Sequence, residues 1–160
     1  MTKQMRQLTA ILVLLLLTSL TPADVSACTC NIYSLQKTFR ESKVVFIGTV
    51  VSSTFDSVTD QECLPMPYEI TLSVDKAWKG PKHGKVVVRT DQGESGCGGV
   101  RFMVGEQYLV YAYRCGDVLD ASTGCSRIRV MNRLDEETKQ EMKQLDSWWF
   151  RMRARLWRWG

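Results

Sequence analysis

The chain opens on an unbroken apolar run, Leu8 to Leu20 (LTAILVLLLLTSL), behind Lys3 and Arg6 and ahead of the stretch TPADVSA. Positive charge, a short apolar run and then small residues at Val25 and Ala27 is the order of a secretory signal peptide, here residues 1–27, cut after Ala27. Beyond it the pattern takes on the period of strands. KVVFIGTVVSSTF (43–55) is β-branched and apolar, and a short segment around Leu35 and Phe39 precedes it. YEITLSVDKAW (68–78) sets Tyr68, Ile70, Leu72 and Val74 against polar partners, which predicts a half-buried strand. KVVVRT (85–90), EQYLVYAYR (106–114) and CSRIRVM (125–131) bring the strands to five. The connections are polar or glycine-rich: DSVTDQECLPM (56–66), Lys79-Gly80-Pro81, DQGESGCGG (91–99) and the turn 115–124.

The period then changes again. NRLDEETKQEMKQLDSWW (132–149) is acidic early, carries Lys139 and Lys143 later, and puts Leu134, Thr138, Met142 and Leu145 on one helical face. Five strands and a helix predict a mainly β domain: an antiparallel barrel over residues 28–131, then a C-terminal helix and tail over 132–160. Closure removes the edges that an open sheet of five strands would expose. A sandwich is the other architecture these strands allow.

Charge adds little to the picture of the domain. After Ala27 there are 19 basic and 16 acidic residues, a net +3, but Arg151, Arg153, Arg155 and Arg158 follow the last acid, Asp146. Residues 28–146 are therefore at −1, and the basic character belongs to the tail. That tail, SWWFRMRARLWRWG (147–160), holds Trp148, Trp149, Trp157 and Trp159. On a helix, Leu145, Trp148, Trp149, Met152, Leu156 and Trp159 form a stripe with Arg151, Arg155 and Arg158 opposite; Phe150 and Trp157 fall outside it. Two readings fit: an interfacial helix meeting anionic lipid or a partner, or a terminal helix packed on the barrel. Export argues against nucleic acid as the partner.

The six cysteines, Cys28, Cys30, Cys63, Cys97, Cys115 and Cys125, all follow the signal segment. An even count in an exported chain predicts disulfide staples and leaves their pairing open. Residues i and i+2 of an extended segment point the same way, so Cys28 and Cys30 each need a partner elsewhere. Two such bonds would fix the new N-terminus, each contributing about 2–4 kcal/mol. Cys28 as first residue would carry an α-amine with a pKa of about 7.7–8.0, partly neutral near pH 7. That amine and the Cys28 carbonyl together offer nitrogen and oxygen to a zinc ion with an open position. Val25-Ser26-Ala27-Cys28 also fits a loose lipoprotein box, in which Cys28 would carry lipid instead. No nucleophile stands with a base: His83, the single histidine, follows Lys79-Gly80-Pro81-Lys82 in a turn, and no G-x-S-x-G occurs, so the chain reads as a non-enzyme with no cofactor.

Cys28-Thr29-Cys30, then Phe39, Ser42, Val44 and Val45, then Tyr68-Glu69-Ile70 with Trp78-Lys79-Gly80-Pro81, then Cys97-Gly98-Gly99 and EQYLVYA (106–112) resemble the tissue inhibitors of metalloproteinases in a single-domain form. More broadly they are similar to netrin-like modules. The resemblance covers about residues 28–145 and implies an oligonucleotide/oligosaccharide-binding (OB) type barrel and inhibition of a zinc metalloendopeptidase. By position it implies that Cys28 chelates the protease zinc and that Thr29 enters the neighbouring specificity pocket. Cys30 and Asn31 would continue the inhibitory edge, and Ser95, Gly96, Cys97 and Gly98 would form its second segment. The implied disulfides are Cys28–Cys97 and Cys30–Cys125, with Cys63–Cys115 as the remaining pair. The chain departs from the family where Asn31-Ile32-Tyr33 replaces prolines and where Arg40 occupies a cysteine position. A secreted netrin-like binding module that works through Trp148, Trp149, Arg151, Arg155, Trp157, Arg158 and Trp159 is the alternative to an inhibitor.

Overall fold

The computed structural model describes residues 33–55, 67–92, 100–121, 127–133 and 135–147. A short helix, α1 (Leu35–Glu41), leads into β1 (Val44–Phe55) and β2 (Tyr68–Lys79), followed by β3 (Lys85–Thr90), β4 (Gln107–Cys115), β5 (Val118–Asp120) and β6 (Arg129–Val130). A 3-10 turn (Met131–Arg133) and a second helix, α2 (Glu136–Asp146), complete the elements. Hydrogen-bonded neighbours run β1-β2-β3-β5-β4, and β4 returns to β1, so five strands close an OB-like barrel. All pairs are antiparallel except the seam between β3 and β5, where Arg89 meets Asp120.

The barrel interior is filled by Val44, Phe46, Val50, Ile70, Leu72, Val74, Val86, Val88, Phe102, Tyr108, Val110 and Ala112. On β2 and β3 these alternate with exposed or half-buried positions, as the sequence pattern predicts. Over residues 44–50 of β1 and 108–112 of β4 burial is nearly continuous. The reason is a second apolar layer on the barrel's outside, where Leu35 and Phe39 of α1 and Leu145 of α2 pack on Val45, Ile47, Leu109 and Tyr111. A strand covered on both faces reads as a solid apolar run.

The fifth predicted strand is corrected. It begins earlier than 125, directly after the tight turn at Gly116 and Asp117, and it is split. In β5, Tyr113 faces Asp120, whereas in β6 Leu109 faces Arg129, so the strand side carries five more residues than β4 does over that interval. The Val118–Asp120 run is too short to signal a strand by alternation; only pairing with β4 and β3 makes it one.

Candidate functional site

Each residue assigned to the predicted edge (Cys28, Thr29, Cys30, Asn31, Ser95, Gly96, Cys97, Gly98) lies outside the described residues. So do Cys63, Cys125 and the tail residues Trp148, Trp149, Arg151, Arg155, Trp157, Arg158 and Trp159. Cys115, the one cysteine among the described residues, ends β4 and is disulfide-bonded. The structure does describe the frame from which the two edge segments depart.

The N-terminal segment enters the frame at Tyr33. Ser34 caps α1 by accepting from the Lys37 amide, and the Lys37 ammonium sits 3.5 Å from the centre of the Tyr33 ring. The far end of α1 is held by Lys79, whose Nζ donates to the carbonyls of Phe39 (3.1 Å), Arg40 (2.9 Å) and Ser42. A cation is favoured at a helix C-terminus because unpaired carbonyls converge there. Burial, with Lys43 nearby, pulls the Lys79 amine below its ordinary range. Lys79 thus belongs to the positioning of α1, a role that a reading of Lys79-Gly80-Pro81 as a strand breaker does not reveal.

A second anchor joins the same entrance to α2. Arg127 donates from Nη2 to the Tyr33 carbonyl (2.9 Å) and from Nη1 to Oε2 of Glu141 (3.1 Å). The other oxygen of Glu141 accepts from the Tyr111 hydroxyl at 2.6 Å. The Glu141 side chain is only 4% exposed, and both oxygens are satisfied. Burial, then the Glu141 carboxylate, pushes the Tyr111 phenol well above its ordinary range. Farther along α2, Asp146 accepts from Trp78 Nε1 (2.9 Å) and pairs with Lys76 (2.7 Å). The helix is therefore docked on the barrel by polar contacts as well as by Leu145.

The connector that would carry Ser95 to Gly98 leaves from Gln92 and returns at Val100. Gln92 is buried, at a left-handed φ of 54°. Its amide oxygen accepts from the Phe102 N–H (2.9 Å), its amide nitrogen donates to Ser53 (3.1 Å), and its backbone N–H donates to Thr90 Oγ1 (3.1 Å). One side chain therefore pins both stems of the connector to each other and to β1. Past the return, the Tyr108 hydroxyl accepts from the Met103 N–H (2.8 Å) and lies 2.8 Å from the Arg101 carbonyl and 3.0 Å from Glu106. Burial is the main reason its phenol is pushed up to about 12, and Glu106 adds to it.

No family model and no curated protein matches this chain. What the arrangement can do is read from its own surface. Met103 is 51% exposed and Val104 63%, both on the segment returning from the connector, and Val51 is exposed on β1. The Gly105 N–H bonds the Val50 carbonyl (2.9 Å), which sets the turn that follows Met103 beside β1. The apolar run FMVG (102–105) between a glycine-rich connector and a strand was the signal that could have marked them. His83, expected in a solvated turn, is exposed between β2 and β3.

Proposed function

We propose that the chain is a secreted inhibitor of zinc metalloendopeptidases. The free amine and carbonyl of Cys28 chelate the protease zinc, Thr29 enters the neighbouring pocket, and Cys30, Asn31 and Ser95 to Gly98 complete the contact. The protein supplies ligands to a zinc that belongs to its partner, and it needs no cofactor or nucleophile of its own.

The bond from Arg127 to the Tyr33 carbonyl supports this reading most directly. Cys30 precedes Tyr33 by three residues and Cys125 precedes Arg127 by two. At no more than about 3.3–3.6 Å per residue, these short spacings allow the two cysteines to approach one another. The implied Cys30–Cys125 staple is within reach, and it would hold the first residues against a barrel whose fold agrees with the resemblance. The connector pinned by Gln92 and the exposed Met103 and Val104 beside it suit a second contact segment with an apolar margin.

The test compares the exported protein beginning at Cys28 with a variant carrying one alanine before Cys28, each against a panel of zinc endopeptidase catalytic domains. The parent is expected to inhibit at least one of them. The extended variant is expected to lose that inhibition at an unchanged melting temperature, because its amine is displaced from the metal. Inhibition retained by the extended variant sinks the chelation mechanism.

The second reading, a netrin-like module contacting a membrane surface or partner through the tail, is favoured by one observation. Helix α2 stops at Asp146, and Ser147 caps it in an extended conformation. Leu145, fully buried, serves the barrel layer and is not part of a surface that a tail could offer to a membrane or partner. Deleting residues 147–160 would then remove membrane or partner binding and leave the N-terminal edge unchanged.

A further inference from the structure

Arg127 joins the N-terminal entrance to α2 through a hydrogen bond to each. Its guanidinium is a rigid fork: one prong meets a buried carboxylate and the other a backbone carbonyl 94 residues away in the chain. The carboxylate is itself fixed from the opposite side by Tyr111, which stands in the apolar layer between β4 and the helices. The Arg127 side chain is 19% exposed, and its Nε is buried with no hydrogen-bond partner among the described residues. Neighbouring Arg129 reaches Glu137 only at 3.5 Å.

We propose that Arg127 is a positioning residue: with Glu141 and Tyr111 it forms a tether that fixes the Tyr33 carbonyl to α2 and so sets the direction in which residues 28–32 leave the barrel. The inference rests on the proposed inhibitory role only where it says what the tether is for. In that role the C-terminal helix presents the N-terminal edge, and part of the ordering cost of binding is met before the protease arrives. A disulfide alone leaves rotation about its own bonds, whereas a second point of attachment at Tyr33 removes it.

The fork predicts a split that a simple packing role would not give. In Arg127→Lys the ammonium reaches about one bond less far and lacks the fixed fork, so it holds Glu141 and leaves the Tyr33 carbonyl with a longer, weaker bond. The Glu141 partnership is the stronger because both of its members are charged. Deuterium exchange on the intact mature protein, read by peptic fragments, compares residues 28–35 with β1 and β4. Arg127→Lys is expected to melt close to the parent and to leave β1 and β4 unchanged. It is expected to speed exchange in residues 28–35 about tenfold, as local opening does when one bond to a charged donor is lost. Unchanged exchange in residues 28–35, or equal acceleration in β4, overturns the tether.

If Arg127→Lys does not fold, Arg127→Met combined with Glu141→Gln removes the ion pair without leaving a buried charge unpaired and keeps an oxygen for the Tyr111 hydroxyl; acceleration in residues 28–35 beyond that in β4 is again the expected result, and its absence overturns the proposal. Inhibition assays on the same proteins separate the two ideas. A parent that inhibits no protease while the exchange contrast persists removes the inhibitor reading and leaves the tether standing. A parent that inhibits, matched by an equally potent Arg127→Lys with faster exchange, shows that the tether does not govern the edge.

Discussion

Gln92 shows how much a single side chain can decide. It sits two residues after β3, at a backbone angle unusual for a side-chain-bearing residue, and is held there by three hydrogen bonds. Replacing it by alanine leaves the Phe102 N–H buried without its acceptor and unties the connector from Ser53. Gln92→Ala is expected to destabilise the fold by about 1–3 kcal/mol in urea unfolding. Nothing in DQGESGCGG distinguishes Gln92 as buried, because a glutamine among glycines reads as loop. Glu141 was concealed in the same way. Thr138, Met142 and Leu145 were legible as the inner face of α2, and Thr138 and Leu145 are buried, but a glutamate on that face needs Tyr111 and Arg127 to be tolerated there.

At the scale of elements, the strand ends were legible wherever a breaker or a change of period marked them. β3 spans the predicted residues 85–90, β1 starts one residue later than predicted and β2 ends one residue later. The connection from β2 to β3 contains two glycines with similar backbone angles and different surroundings. Gly80 has a φ of 98°, and an added Cβ would stand 2.7 Å from Val44 Cγ1; Gly84 has a φ of 92° and nothing within 4 Å. Gly84→Ala should therefore cost only the strain of a left-handed residue, about 1 kcal/mol. Gly80→Ala carries the same strain plus a clash worth about 1–3 kcal/mol more. Thermal unfolding of the two variants measures the gap, and equal losses would mean that Val44 moves aside freely. The gap matters for the site, since Val44 follows α1 and Lys79 next to Gly80 caps it.

For the whole molecule, closure depends on a narrow seam. β3 meets the short β5 at the single pair Arg89 and Asp120, and the buried Ala121 donates its N–H to the Arg89 carbonyl at 2.8 Å. Ala121→Pro removes that donor and is expected to cost at least about 2 kcal/mol. Ala121→Gly keeps the donor and should lose about 1–2 kcal/mol, for the added chain freedom and one buried methyl, less than Ala121→Pro. Urea unfolding that ranked the two equally would show that the seam is not what closes the barrel. By itself the sequence determined the four long strands, the amphipathic α2 and the mainly β class, because each follows from local period and turn chemistry. The outer apolar layer, the split of the last strand, the Gln92 clamp and the Arg127 fork were decided only by the tertiary structure. Each depends on which distant segments meet: Tyr33 with Arg127, Gln92 with Phe102, Lys79 with the end of α1. Periodicity tells which face of an element is buried; it does not tell what that face is buried against, and the polar contacts that fix the site are set by the second of these.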